Sequence, residues 1–193
     1  KTQVEQYRLF EINLTGTTEG NPYQDVTLSA DFTNAETGQI VVVGGFYRGN
    51  GNYSVRFMAA SAGRWAFTTR STDPALDGQT GVFTVTPATQ DNHGRVLTAT
   101  EALSGKAREA YGDGTPYQPY GTPCYAWVSQ PTDVQDRTVA TLAKAPFNKI
   151  RMCVFPKFYD FNTADPWAYA YPGTRETGFG PPCVDEEFFA HLD

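Results

Sequence analysis

The first half of the chain alternates apolar and polar residues in short runs that are separated by turn-forming residues. Such alternation, at spacings near ten residues, is typical of short strands that bury one face. The apolar members of these runs are Phe10, Ile12 and Leu14; Val26, Leu28, Ala30 and Phe32; Ile40–Val43; Tyr53, Val55 and Phe57; Trp65 and Phe67; and Val82–Val85. We therefore predict a β-sandwich of about seven strands over residues 1–97.

The predicted sandwich contains no cysteine, because Cys124, Cys153 and Cys183 all lie in the second half of the chain. We therefore expect an all-β, Ig-like sandwich without the Ig disulfide. An odd number of cysteines without metal-type spacing indicates neither a disulfide framework nor a metal site. Buried free thiols explain these residues, and a single bridge is the alternative. We expect no metal and no other cofactor.

A different pattern begins after the sandwich. Small polar residues predict a linker at 98–106, followed by a second domain over residues 107–193. Tyr120–Val128 is typical of a buried strand that ends in aromatic residues. The apolar run Ile150–Phe155 predicts a second buried strand, and continuous apolar runs are typical of parallel sheets covered on both faces. Strand, helix and strand in this order predict an α/β segment that resembles the first two βα units of a truncated TIM-type barrel.

A helix is predicted between these two strands. Thr132 is followed three residues later by Gln135, which is the spacing of a capping box. Pro146 ends the helix. The apolar side of this helix is expected to consist of Val134, Thr138, Val139 and Leu142. A further helix is predicted from Val184 to the last residue, Asp193.

A long connection between Pro156 and Pro182 carries many aromatic residues. They are Phe158, Tyr159, Phe161, Trp167, Tyr169, Tyr171 and Phe179. Loops of this length are usually functional or mobile, and exposed aromatic clusters usually bind a partner. We predict a platform on which sugar rings stack. The alternative is that these aromatic rings pack on further parts of a barrel.

A complete barrel needs about 250 residues, and the second half of this chain provides only about two βα units. We therefore expect the chain to be a fragment, although a further domain could also complete the sheet. The expected partners are a glycan, the remaining barrel of the full-length protein, or a second copy that associates through the open half-barrel.

The net charge of −6 and the absence of a basic run exclude nucleic acid as the main partner. No apolar stretch approaches the roughly 20 residues of a membrane span. The chain begins at Lys1, so we expect that a leader was removed and that the protein is secreted, periplasmic or on the cell surface.

Several segments resemble a known family. In the first half they are NPYQDVTLSADF, GGFYRGNGNYSVRFMAASAGRWAF, DPALDGQTGVFTV and DNHGRV, and in the second half GDGTPYQPYGTPCYAW and PFNKIRMCVFPKFYDFN. The former resemble the β-sandwich module that precedes glycoside-hydrolase barrels in bacterial polysaccharide-degrading proteins. The latter are similar to the start of an apiosidase-like barrel attached to that module. The resemblance covers nearly the whole chain and is weak from Thr163 to Pro182.

The resemblance implies a glycan substrate and a pair of catalytic carboxylates on later barrel strands. Because the chain ends before those strands, we expect no catalytic residue in it. Asn148–Arg151 is similar to the Asn-x-x-Arg motif of retaining barrel glycosidases, in which the arginine lies beside the catalytic carboxylates. The candidate substrate-binding residues are Tyr125, Trp127, Arg151, Lys157, Tyr159 and Trp167.

Each candidate also has a structural interpretation. Arg151 could be part of an ion pair, Tyr125 and Trp127 could pack in a core or rim, and Lys157 could be a solvated loop residue. His93 is expected in the linker region, and His191 is expected to be an ordinary helix residue. Two function classes therefore remain: the start of a glycoside hydrolase, or a non-catalytic carbohydrate-binding or structural β-sandwich module.

Overall fold

The computed structural model describes residues 2–98, 109–155, 160, 165–180 and 186–192. The chain divides into two compact units, Lys1–Gln118 and Pro119–Asp193. The described residues are mostly β-structure with three short α-helices. None of these helices is both long enough and apolar enough to cross a membrane. The domain limits near residues 97 and 107 stay predictions.

Seven strands of the first unit form one large sheet in the order β1-β7-β6-β3-β4-β5-β2. They are β1 (Gln3–Glu5), β2 (Leu9–Thr15), β3 (Leu28–Asn34), β4 (Ile40–Tyr47), β5 (Asn52–Met58), β6 (Gly63–Ser71) and β7 (Thr80–Thr86), and helix α1 (Pro22–Asp25) precedes β3. Neighbouring strands are antiparallel except β1 and β7, which run parallel. The predicted β-rich first half is confirmed. Val26 was predicted in a strand but lies before β3. An Ig-like topology stays a prediction.

Strand β4 belongs to both halves of this sheet. Its first part, up to Gly44, pairs with β3, and its last part, from Gly45, pairs with β5. A Cβ atom on Gly45 would lie 2.6 Å from the Leu28 Cγ atom and 3.0 Å from the Ser54 carbonyl oxygen. The Leu28 side chain and the Ser54 carbonyl therefore leave no room for a side chain at this position. The sheet folds over at this point and nearly closes.

Aromatic rings from the two halves of the sheet meet in its interior. Phe10 of β2 stacks on Phe83 of β7 with ring centroids 3.8 Å apart, and Phe32 of β3 stacks on Phe57 of β5 at 4.1 Å. Trp65 is 1% exposed and donates its indole N–H to the Ser61 carbonyl oxygen at 3.1 Å. The other buried members of this core are Val4, Ile12, Leu28, Ala30, Tyr53, Val55, Ala59, Leu76 and Val85.

Hydrogen bonds to the Glu5 side chain connect β1 to the segment that follows β7. Its carboxylate accepts hydrogen bonds from the Thr89 backbone N–H at 2.7 Å, from the Thr89 hydroxyl at 2.8 Å and from the Asn92 amide at 3.0 Å. The Thr89 backbone bond is the largest cause that lowers the pKa of Glu5, from its ordinary value of 4.5 to about 2, followed by the Asn92 and Thr89 side chains.

A small sheet completes the first unit. Strand β8 (Val96–Thr98) pairs antiparallel with β9 (Glu109–Tyr111). The first residue of the predicted linker, Thr98, is therefore a strand residue, and residues 99–106 lie outside the described residues. Beside this sheet His93 Nδ1 lies 2.8 Å from Asp113 Oδ2. This hydrogen bond, together with the Thr115 backbone N–H, lowers the pKa of Asp113. The interpretation of His93 as a linker or interdomain residue stays a prediction.

The second unit contains a strand–helix–strand segment. Strands β10 (Gly121–Pro123) and β11 (Lys149–Arg151) pair in parallel, and helix α2 (Thr132–Leu142) lies between them in the sequence. A hairpin of β12 (Gly173–Thr174) and β13 (Gly178–Phe179) and helix α3 (Glu186–Leu192) follow. The parallel strand pair agrees with the predicted βα order, whereas a barrel stays a prediction.

Three details of the sequence prediction are wrong here. The first strand ends at Pro123, because the chain turns and forms a 3-10 turn at Trp127–Ser129. The second strand is not buried on both faces, since all three residues of β11 are exposed and Ile150 is 41% exposed. The capping box does not form either, because Pro131 occupies the cap position and Thr132 becomes the first helical residue.

Trp65→Ala should lower the free energy of unfolding by about 3–5 kcal/mol, because it removes the largest ring from the closed core. Urea unfolding followed by far-UV circular dichroism measures this loss. Val82→Ala is the matched control, since Val82 is 56% exposed and should change stability by less than about 0.5 kcal/mol. Equal effects of the two substitutions would contradict the assignment of Trp65 to the core.

The Glu5 carboxylate should also make the first unit sensitive to acid. In the unfolded chain it takes up a proton near pH 4.5, whereas in the folded chain it stays ionised down to about pH 2. Its stabilising contribution is therefore fully present above pH 4.5 and is lost as the pH falls to about 2. Glu5→Gln should flatten the dependence of stability on pH in this interval, as measured by urea unfolding at several pH values. An unchanged slope would show that the hydrogen bonds to the Glu5 carboxylate contribute nothing to stability.

Candidate functional site

A groove of about 570 Å³ lies in the second unit. The hairpin β12–β13 forms one side, and Glu187 in the first turn of α3 contributes from another. The groove is lined by Asp165, Pro166, Trp167, Ala168, Tyr169, Tyr171, Gly173, Thr174, Arg175, Glu176 and Glu187. Aromatic rings and charged side chains thus share one concave surface, which is the usual composition of a ligand site.

Asp165 organises the polar part of the groove. Its carboxylate accepts a hydrogen bond from the Tyr169 hydroxyl at 2.8 Å and lies 3.4 Å from the Arg175 Nε atom. Partial removal from water, and then the hydrogen bond to Asp165, raise the pKa of Tyr169. The Tyr169 hydroxyl therefore stays protonated at neutral pH and acts as a donor. These contacts fix the Tyr169 ring and the Arg175 side chain around Asp165.

An apolar pocket of about 440 Å³ adjoins the groove. Phe155 and Tyr171 stack nearly parallel with ring centroids 5.7 Å apart, and Tyr169 meets Phe179 edge-on at 5.2 Å. The six lining residues are Phe155, Tyr169, Ala170, Tyr171, Arg175 and Phe179. Tyr169, Tyr171 and Arg175 also line the groove, so the two cavities share a wall.

The hairpin that presents several of these side chains depends on its glycines and threonines. The hydroxyls of Thr174 and Thr177 lie 3.0 Å apart, and each accepts a hydrogen bond from the other residue's backbone N–H. Gly173 and Gly178 have positive φ angles of 115° and 77°, which other residues adopt only with strain. The turn therefore points Arg175 and Glu176 to the groove, while Phe179 lines the apolar pocket.

A ring cluster supports the groove from the side of α3. The His191 imidazole meets Trp167 edge-on at 5.2 Å and lies nearly parallel to Trp127 at 6.5 Å. Phe188 is fully buried and packs with Val128 and Ala170. Because Trp167 and Ala170 belong to the walls of the two cavities, the position of α3 determines the shape of the site.

Gln135 holds this support in place. Its buried amide nitrogen donates to the carbonyl oxygens of Val128 at 3.3 Å and Gln130 at 2.8 Å, and its amide oxygen lies 2.7 Å from His191 Nε2. Since the amide nitrogen is already used for two carbonyls, the oxygen is the acceptor and His191 donates. The Gln135 backbone carbonyl also accepts the Trp127 indole N–H at 3.2 Å.

The structure places the predicted site residues in two groups. Trp127 and Trp167 both contact His191, and Trp167 also lines the groove. Arg151 lies at the end of β11 with its guanidinium carbon 5.6 Å from the centre of the Tyr125 ring, an arrangement typical of a cation–π contact. The expected burial of Arg151 is wrong, because the residue is exposed.

Two candidates, Lys157 and Tyr159, lie outside the described residues. Four of the seven loop aromatics are described, and all four line a cavity: Trp167, Tyr169, Tyr171 and Phe179. Cys124 and Cys153 carry free, half-buried thiols, and Cys183 lies outside the described residues. Among the residues that the structure describes, no group of three or more His, Cys, Asp or Glu side chains could hold a metal ion.

Sequence reasoning missed the polar contacts that shape the site, although it predicted Tyr169 as a stacking ring. Gln135 and His191 are 56 positions apart, and no local pattern connects them. Asp165, Tyr169 and Arg175 lie in the segment of weakest resemblance. The only sequence signal for the contact between Asp165 and Tyr169 was their spacing of four residues. This spacing predicts a side-chain contact only where the chain turns like a helix.

Comparisons with known proteins support a link to carbohydrate chemistry. Residues 3–72 match the family described as "Domain of unknown function (DUF5060)". The chain is similar to a crystal structure of a protein from Bacteroides vulgatus ATCC 8482 that is described as a "putative glycoside hydrolase", with 38% sequence identity and a TM-score of 0.86. The match covers 100% of this chain and 38% of that chain. No curated protein matches the sequence.

Gln135→Leu should loosen α3, because the apolar side chain leaves the buried carbonyl of Val128 without its donor and His191 without its acceptor. We expect amide hydrogen exchange in α3 to quicken by about tenfold or more. The matched control is Asp136→Asn, which changes the exposed neighbour on the same helix and should leave the exchange rates unchanged. Unchanged protection of α3 in Gln135→Leu would show that the amide does not hold this helix.

Proposed function

We propose that the chain is the N-terminal part of a glycoside hydrolase that acts on a polysaccharide or oligosaccharide. The observation that carries this proposal is the 38% identity, over the whole of this chain, to a longer protein described as a "putative glycoside hydrolase". The aromatic groove of the second unit supports it, because sugar rings bind to proteins by stacking on aromatic faces.

In this proposal the first unit is an Ig-like sandwich, and β10, α2 and β11 begin an apiosidase-like TIM-type barrel. Further chain completes the barrel and supplies the catalytic carboxylates. Retaining enzymes need two carboxylates about 5 Å apart, and inverting enzymes hold them farther apart. Asp165 is not assigned either role, because it lies between β11 and β12 rather than on the later barrel strands from which this proposal takes the carboxylates. We also propose that the protein is secreted, periplasmic or on the cell surface, where polymeric glycans are met.

Arg151 is proposed to orient one of these carboxylates. It lies at the carboxyl end of β11, the end of the strand at which barrel enzymes build their active sites. Its guanidinium carbon lies 5.6 Å from the centre of the Tyr125 ring, a cation–π contact that holds the group near the end of the strand.

A second candidate function is carbohydrate binding without catalysis. The groove supports it, because all of its lining residues lie within this chain and need no further domain. The two functions differ in whether the full-length product of the gene cleaves glycans. In the first function only the longer product cleaves glycans, whereas in the second neither product does.

Hydrolysis assays on a panel of plant and bacterial polysaccharides distinguish the two functions. We expect no reducing sugar to be released by the 193-residue chain and clear release by the full-length product of the gene. Efficient hydrolysis by the short chain would refute the proposal that the catalytic carboxylates lie outside it. An inactive full-length product that still binds glycans would favour the binding module.

In the full-length product, Arg151→Met should lower kcat by about a hundredfold, which is typical of losing one preorganised electrostatic contact. The melting temperature should stay within a few degrees, because Arg151 is exposed. Arg137→Met, at an exposed arginine of α2, is the control and should keep full activity. A fully active Arg151→Met enzyme would remove this residue from the mechanism without affecting the rest of the proposal.

Trp167→Ala should weaken glycan binding about tenfold, the worth of one good stacking contact. Trp167 is nearly half exposed, so its removal should change the melting temperature little. Phe46→Ala removes an exposed ring from the first unit and serves as the control in the same calorimetric titrations. Equal affinities of Trp167→Ala and the unmodified chain would exclude the groove as the sugar platform.

A further inference from the structure

We propose that the site binds a glycan that carries an apolar substituent, such as an aryl or acyl group. The sugar lies in the groove, and its substituent enters the apolar pocket formed by Phe155, Tyr171 and Phe179. This inference rests on the proposed function, because it takes the groove to be the sugar site. It adds the chemical class of the ligand.

The apolar pocket is poorly suited to an unsubstituted sugar. A pyranose carries a hydroxyl on most of its carbons, and each hydroxyl that leaves water without a new partner costs free energy. Four of the six lining residues are aromatic and one is Ala170. The Tyr169 hydroxyl already donates to Asp165, and the Arg175 guanidinium is ion-paired with the same carboxylate. An aryl ring, or the hydrocarbon part of an acyl group, forms no hydrogen bonds with water that it would lose on entering this pocket.

The geometry of the rings favours a flat group. Phe155 and Tyr171 are nearly parallel, with an angle of 12° between their planes, while Phe179 meets Tyr169 at 67°. A planar ligand ring can therefore continue the stack on one wall and meet the edge of another, the two arrangements that aromatic pairs prefer. The volume of about 440 Å³ is ample for one substituted ring.

The adjoining groove offers the polar contacts that a sugar needs. Thr174, Glu176 and Glu187 line the groove but not the apolar pocket, and their oxygens can accept hydrogen bonds from sugar hydroxyls. Tyr169, Tyr171 and Arg175 form the shared wall, so one ligand can occupy both cavities. Because Asp165, Glu176 and Glu187 outnumber the single arginine, the sugar part is expected to be neutral.

Matched pairs of neutral glycosides test the proposal. Isothermal titration of the 193-residue chain compares 4-nitrophenyl with methyl β-glycosides of glucose, galactose and xylose, and includes 4-nitrophenol alone. In at least one pair the aryl glycoside should bind about tenfold more tightly than the methyl glycoside, the increment expected from burying one small ring. It should also bind more tightly than 4-nitrophenol, because the sugar adds contacts in the groove.

Two variants separate the cavities. Phe179→Ala changes only the apolar pocket and should abolish the preference for the aryl glycoside without weakening the methyl glycoside. Glu176→Gln changes only the groove and should weaken both members of a pair equally. Val139→Ala, at an exposed position of α2, is the control for unspecific effects, and circular dichroism checks the fold of each variant.

The proposal is overturned if no pair shows an aryl preference, if the preference survives in Phe179→Ala, or if 4-nitrophenol alone binds as tightly as its glycosides. These results do not bear on hydrolysis. A full-length product that cleaves glycans but shows no aryl preference would retain the proposed function and lose this inference. An aryl preference in a full-length product without hydrolase activity would support this inference and refute the proposed hydrolase function.

Discussion

The second unit depends on one buried amide. Gln135 joins α2 to the turn before it through the Val128 and Gln130 carbonyls and joins α2 to α3 through His191. A buried amide is stabilising only when its donors and acceptor are all satisfied, and here three side-chain hydrogen bonds satisfy it. The Trp127 indole bonds to the backbone of the same residue. The walls of both cavities are therefore supported by this polar contact together with the small apolar cluster of Phe188, Val128 and Ala170.

The two units use aromatic residues in opposite ways. In the first unit Phe10, Phe32, Phe57, Trp65 and Phe83 are buried and hold the halves of the folded sheet together. In the second unit the rings of Phe155, Trp167, Tyr171 and Phe179 are exposed at cavity walls. Exposed rings are costly to keep in water unless a ligand or partner covers them. The aromatic core of the first unit and the aromatic cavity walls of the second unit thus lie in different parts of the chain.

The sequence predicted the first unit better than the second for a physical reason. Alternation such as that of Phe10 and Ile12 reports directly on which face of a strand is buried. In the second unit, the apolar run at Ile150 has no alternation and predicted burial that the structure does not have. The aromatic loop was recognised from composition. Its organising contacts, Asp165 with Tyr169 and Gln135 with His191, depend on turns and distant helices that local patterns do not encode.

The parallel pairing of β1 with β7 determines when the first unit can be completed during protein synthesis. Val4 and Thr86, which are joined by a hydrogen bond, are 82 positions apart in the chain, whereas the antiparallel neighbours β3, β4 and β5 follow one another directly. Local hairpins can form while the ribosome is still adding residues, but pairs this distant must wait. Strand β1 leaves the ribosome before the other strands of this sheet and is therefore among the last of them to pair. Until then the edge of β7 is open to other nascent chains.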